Sequence, residues 1–268
     1  MAFALAAAVI AGCLAVTGMT VVPEHFTPDR SAFMKAHKGP YLYQWVDLDH
    51  ISRYAIAAAI AHEDLAFIDR FAAFDLTDFI DTAKAYLETH DDSAGGSTIP
   101  QQLVKNLYLT PEKSITRKGV EALIAYPAAA TMTKPRIMEL YLNFAQFGPD
   151  IFGVCAASWY YFNSAPWDLA PEQAAELAAI LPYPDHAVRV HSLRGGIYIS
   201  DNEYSEKKYL PQLHRIPKDI EFVGGYRVMM DKIGIRDDAS AHIASRATTP
   251  SCSTMPKMIE STLTEHGY

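Results

Sequence analysis

Cysteine is scarce in this chain: three in 268 residues. Three thiols cannot make the disulfide framework of a small secreted scaffold. Cys155 and Cys252 lack the close spacing of a metal site and are expected to pack as small apolar residues. Basic excess is missing too. Lys and Arg number 23 against 31 Asp and Glu, a net charge of −8. That excludes a general nucleic-acid binder, which needs a positive surface. The chain is 50% hydrophobic and 20% charged, so disorder is excluded as well. No internal repeat and no low-complexity tract is found.

Charge is absent altogether from residues 1 to 23. A helix of about 22 residues spans about 33 Å, enough for a hydrocarbon core of roughly 30 Å. A membrane span is the first reading. A secretory signal is the second, although the basic n-region is missing. Ile10-Ala11-Gly12-Cys13 also resembles a lipoprotein box, in which Cys13 is acylated. Against the acidic total stands one basic stretch. Residues 95 to 140 hold six basic side chains (Lys105, Lys113, Arg117, Lys118, Lys134, Arg136) and three acidic ones (Glu112, Glu121, Glu139). The window is therefore +3 and the remainder −11, which poses the question of what anion it binds.

Pro23, Pro28 and Pro40 mark an irregular stretch over residues 24 to 50. From Ser52, a plausible N-cap, the pattern turns helical. Helices are expected from Ser52 to Phe67 and from Asp75 to Leu87, with a flexible loop at Asp91–Gly96. Thr98 and Gln101 have capping-box spacing, and Pro100 sits in the tolerated first turn. Further helices are expected from Ser114 or Thr116 towards Thr133, over the Ile137–Phe144 periodicity, and from Pro171 to before Pro182. No alternating strand pattern occurs from 52 to 181, so that part is read as all-α. Short strands are expected at Gly195–Ser200 and Ile220–Met229.

Three patches carry candidate chemistry. His62-Glu63-Asp64 interrupts an otherwise apolar helical face. A half-buried carboxylate there has a raised pKa and serves as a base or acid near neutrality, unless it is an ordinary acidic helix end. Ser97 and Thr98 follow two glycines and enter a helix whose free N–H groups suit an anion, with Gln101, Gln102 and Lys105 on the next turns. The GK[ST] ending of a phosphate-binding P-loop is missing. A plain capped helix explains this patch equally well. Arg117, Lys118 and Glu121 share a helix face at i, i+3 and i+4. They suit a diphosphate with a metal, or form a surface ion-pair cluster of little energetic worth.

Taken in order, the patches resemble the peptidoglycan glycosyltransferases, glycosyltransferase family 51. HEDLAF, GGSTIPQQLVKN, RKGVE, KPRIMELYLNFAQFGPDIFGV and ELAAILPYPD match its five motifs in sequence. The stretches around Phe33 and Trp45–Ser52 look like the lead-in of the monofunctional members. The departures are local. Arg70 and Ala72 stand where the first motif has histidine and glycine, and one extra residue precedes Phe74-Asp75. Pro100 replaces threonine, and Ala129 and Cys155 replace glutamates.

The resemblance implies an all-α, lysozyme-like domain with an N-terminal membrane helix and a small mixed C-terminal extension. In residues, that is an anchor or signal at 1–23, a linker at 24–50, the glycosyltransferase domain at 51–189 and the extension at 190–268. It implies polymerisation of lipid II into β-1,4 glycan with inversion and release of undecaprenyl diphosphate. Glu63 and Glu121 are the implied catalytic pair, Glu63 as base. Asp64, Ser97, Thr98, Gln101, Gln102, Lys105, Asn106, Arg117, Lys118, Lys134 and Asn143 are the implied substrate contacts. Glu121 would also hold a divalent cation, Mg or Mn, and no organic cofactor is implied. The implied partners are lipid II, the growing glycan strand, the membrane and cell-wall synthesis proteins, with no nucleic acid. The implied place is the bacterial inner (cytoplasmic) membrane, with the catalytic domain on its periplasmic or outer face. Two alternatives stay open: a lysozyme-like lytic enzyme, and a weakly active scaffold. Thr254 and Lys257 have the spacing of an SxxK motif, but threonine replaces serine and no KTG follows.

Overall fold

A computed structural model describes residues 2–71, 73, 97–111, 115–192, 194–236 and 251–268. The helix expected over Asp75–Leu87 and the loop expected at Asp91–Gly96 lie outside those residues. The described chain is mostly helical and forms two units. One comprises Met1–His37 and Arg70–Leu140; the other comprises Lys38–Asp69 and Tyr141–Tyr268.

In the first unit, helix α1 runs Ala2–His25 and α2 runs Ala32–Ala36. Helix α4 (Ile99–Tyr108) and helix α5 (Ile115–Thr131) pack on each other, and α1 packs on α5. Ser31 caps α2 by accepting a hydrogen bond from Met34 N–H at 3.1 Å. The expected box at Thr98 is present. Thr98 Oγ1 accepts from Gln101 N–H, and Gln101 Oε1 accepts from Thr98 N–H at 2.9 Å. Leu103, Val104 and Leu107 turn inward from α4. The later part of α1 is tied to this unit by hydrogen bonds. Tyr108 Oη and Arg136 Nε donate to the carbonyls of Met19 and Pro23, both at 2.7 Å. Glu24 accepts from Thr133 N–H at 3.0 Å. Among the described residues, no helix is long and apolar enough to cross a membrane. The expected N-terminal membrane helix is therefore not borne out.

In the second unit, helix α3 (Arg53–Glu63) is the central element. Ser52 caps it as expected, accepting from Tyr54 N–H at 3.3 Å and donating to the Leu169 carbonyl at 3.0 Å. Its Ala/Ile run is buried on every side, with Ile56 and Ile60 wholly enclosed. Each such side chain contributes roughly 1.5–3 kcal/mol on burial. Helix α8 (Pro171–Ile180), α9 (Leu210–Phe222) and α10 (Tyr226–Lys232) pack against α3. Helix α6 (Lys134–Phe144) carries the chain from the first unit into the second.

Two small sheets qualify the all-α expectation. Strands β1 (Leu42–Tyr43), β2 (Gln146–Gly148) and β3 (Ile151–Phe152) form one, with β1 parallel and β2 antiparallel to β3. Segments of two or three residues are too short to show a period-2 pattern. Gly153 follows β3 at φ +79°, and a Cβ there would lie 2.8 Å from the Asn143 carbonyl oxygen. Strands β4 (Ala187–Arg189) and β5 (Ile197–Ile199) form an antiparallel pair. That places a strand within the expected Gly195–Ser200 segment. The strand expected at Ile220–Met229 is instead the end of α9, a Gly224-Gly225 turn and the start of α10.

The cysteine expectation is overturned. Cys155, on α7 (Val154–Phe162), is disulfide-bonded to Cys252, with Cα atoms 6.1 Å apart. The partners are 97 residues apart in sequence, so spacing carried no sign of the bond. Around it, Trp159 Nε1 donates to the Cys252 carbonyl at 3.2 Å, and Ser251 Oγ accepts from Asp47 N–H at 2.9 Å. Helix α11 (Lys257–Glu265) packs on α7 and buries Ile259 and Leu263. Closing a loop of about 100 residues removes roughly 4–5 kcal/mol of unfolded-state entropy in the chain-entropy model.

Candidate active site

The first unit gathers four of the expected residues. Lys118 Nζ lies 2.6 Å from Ser97 Oγ and 2.6 Å from Glu121 Oε1. Arg117 Nη1 lies 3.4 Å from Glu121 Oε2. The i, i+3 and i+4 spacing on α5 produces this arrangement directly. Glu121 is fully buried, and a buried carboxylate is tolerated only when paired. Its two oxygens therefore hold two cations in fixed positions. Lys118 remains 40% exposed, so the clamp is open to an incoming anion. The three charges sum to +1.

The neighbouring residues divide into architecture and site. Thr98 and Gln101 spend their side chains on the α4 cap, and Gln101 is buried. Gln102 Nε2 donates to the Ser97 carbonyl at 3.1 Å and shapes the loop end. Lys105 stands over the Phe33 ring at 5.7 Å and stays half-exposed. Asn106 is buried on α4, and Lys134 is half-buried at the start of α6. Both carboxylate oxygens of Glu121 face cations.

In the second unit, Glu63 is the last residue of α3 and Asp64 its C-cap. Asp64 takes φ −164°, ψ 71°, which ends the helix and presents the carboxylates at its tip. His62 Nε2 lies 3.5 Å from Glu63 Oε1, and both side chains are about nine-tenths buried. Burial, and next the charge of Arg215 on α9, push the His62 pKa down to about 4. The ring is thus neutral near pH 7. Tyr141 is wholly buried, and its hydroxyl is pushed well up by burial and then by the charges of Glu63 and Asp64. Tyr204 is pushed up by burial and then by Glu63. Asn143, expected to contact substrate, is wholly buried. Its Oδ1 accepts from Val46 N–H at 2.9 Å, and its Nδ2 donates to the Val46 carbonyl at 2.8 Å. Both ends of the amide pin the lead-in segment at Val46 to α6. His62 was visible in the first motif, but Tyr204 and Gln212 lie about 140 and 150 residues further on. Nothing in their local sequence marks them as neighbours of the α3 tip.

A family model described as Transglycosylase matches residues 32–196. A biosynthetic peptidoglycan transglycosylase of Alcanivorax borkumensis is 44% identical over 170 residues, covering 63% of this chain and 69% of its own. One from Nitrosomonas europaea is 41% identical over 169 residues, covering 59% and 68%. One from Cupriavidus metallidurans is 36% identical over 197 residues, covering 66% and 84%.

Proposed function

Because the chain belongs to the transglycosylase family, we propose that it polymerises lipid II into β-1,4-linked glycan strands. The observation that carries this reading is the cation clamp at Ser97, Arg117, Lys118 and Glu121. A glycan-cleaving enzyme has no diphosphate to bind and no use for such a clamp. The growing strand is the donor and lipid II the acceptor. The acceptor GlcNAc 4-hydroxyl oxygen attacks C1 of the donor MurNAc, and its proton passes to Glu63. The C1–O bond breaks on the opposite face, which inverts the centre. The bonding pair leaves with undecaprenyl diphosphate. Negative charge grows on that group as the bond breaks. Cations already held in position stabilise it without reorganisation cost.

The same reading places the protein at the cell envelope, in contact with a membrane. Two features support it. Val120, Leu123 and Tyr126 form an exposed apolar stripe on α5. A disulfide persists in an oxidising compartment and not in a reducing cytosol. Residues 1–23, being uncharged, are assigned to membrane attachment. Proteins of cell-wall synthesis belong to the proposal as partners.

The test uses purified protein in detergent with fluorescent lipid II. Wild type is expected to give polymer, and Glu63→Gln to lose roughly 10²–10⁴-fold in rate. Equal polymer from both would remove Glu63 as the base. Cleavage of preformed glycan in place of polymerisation would favour the lytic reading.

A further inference from the structure

His62 is a histidine whose chemistry the reaction above does not use. It sits one residue before Glu63, and its ring is enclosed by α9 as well as by its own helix. Among the described residues, neither ring nitrogen makes a well-formed hydrogen bond, although both are out of reach of solvent. Gln212 of α9 faces the ring, and its own buried Oε1 is likewise short of a good partner. A neutral imidazole always carries one N–H. Here that hydrogen is buried, Gln212 lies within hydrogen-bonding reach of the ring, and Nε2 is the nitrogen turned to Glu63 Oε1 at 3.5 Å. Contacts of this length in a ligand-free site tighten once substrate is bound.

We propose that His62 is a positioning residue for Glu63. Its Nε2–H donates to Oε1 when substrate is bound, so that Oε2 is the oxygen presented to the acceptor hydroxyl. This rests on the assignment of Glu63 as the base. Burial, and next the charge of Arg215, hold the ring neutral at working pH. It is assigned the part of a hydrogen-bond donor. The groups around it are consistent with that role. Burial and then Arg215 on α9 keep the ring neutral, and Gln212 and Asp219 on the same helix oppose them. Tyr141 and Tyr204 bring phenols kept protonated into the field of Glu63, and Asp64 adds a second carboxylate. The segment that supplies Tyr204, Gln212, Arg215 and Asp219 lies beyond the matched residues 32–196. The extension therefore helps build the surroundings of the base.

The experiment compares His62→Phe, which keeps a ring and loses the donor, with His62→Gln, which keeps an N–H near the same place. Steady-state polymerisation of lipid II is measured from pH 5 to 8, with melting temperature recorded for each protein. His62→Phe is expected to lower kcat roughly tenfold to a hundredfold, the worth of a hydrogen bond to a charged group. KM stays unchanged. The acid limb of the kcat profile moves to higher pH, because a carboxylate without its donor protonates more readily. His62→Gln restores most of the rate. Wild-type kcat and an unmoved acid limb in His62→Phe would overturn the proposal. So would equal losses in both variants with a raised KM or a lowered melting temperature, which would mark a packing role. Glu63→Gln is run beside them. If it polymerises like wild type, the base assignment fails. If it is inactive while His62→Phe is unaffected, only the positioning role fails.

Discussion

Two buried glutamates show how one residue type is put to two uses. Glu121 lies on α5 between Arg117 and Lys118, and its charge is met on both oxygens. Glu63 lies at the tip of α3, where its described surroundings are a neutral imidazole, two phenols and the Asp64 carboxylate. The first arrangement spends the carboxylate on holding cations still. In the reaction proposed above, the second acts as the proton acceptor. Environments that differ this way separate acid–base roles from binding roles within one reaction.

The contrast is sharpest in its response to pH. Unfolded His62 takes up a proton near pH 6.5, whereas folded His62 resists until about 4. Its contribution to stability is present above about pH 6.5 and is lost as pH falls towards 4. The loss is on the order of 3 kcal/mol. Denaturant titrations at pH 7 and pH 4.5 are expected to show a smaller acid loss in His62→Gln than in wild type. An identical loss would mean that folding does not depress the His62 pKa, and the contrast with Glu121 would fail. Next in size is the clamp. Lys118→Ala is expected to weaken binding of undecaprenyl diphosphate about tenfold to a hundredfold, read by fluorescence competition. Unchanged affinity would reduce Lys118 to a mere partner of Glu121. The smallest effect belongs to Thr98→Ala. It removes the α4 cap and costs about 1 kcal/mol of stability, measured by thermal melting. The clamp's Ser97 lies one residue away, so a modest loss of diphosphate affinity accompanies it, with no change at the α3 tip.

Much of this was legible in the sequence where the cause is local. Helix caps at Ser52 and Thr98 follow from the chemistry of the next two or three residues. The Arg117–Lys118–Glu121 cluster follows from the turn of one helix. What escaped reading depends on distant partners. Asn143 pairs both ends of its amide with Val46, 97 residues away. Strands β1 to β3 are too short to carry a pattern and exist only as a set. Gln212 reaches His62 through the packing of α9 on α3, and α9 itself gives no hint of which helix it covers.

The bond between Cys155 and Cys252 gives this unit a topology that its sequence hides. The 97-residue separation is closed into a covalent ring that includes α8, α9 and α10. A protease that cuts once inside that ring does not shed anything. The two pieces stay joined and run as a single band on a gel until a reductant separates them. The segment around α11 is thus held to α7 by more than packing, and loosening it takes an electron donor as well as a cut.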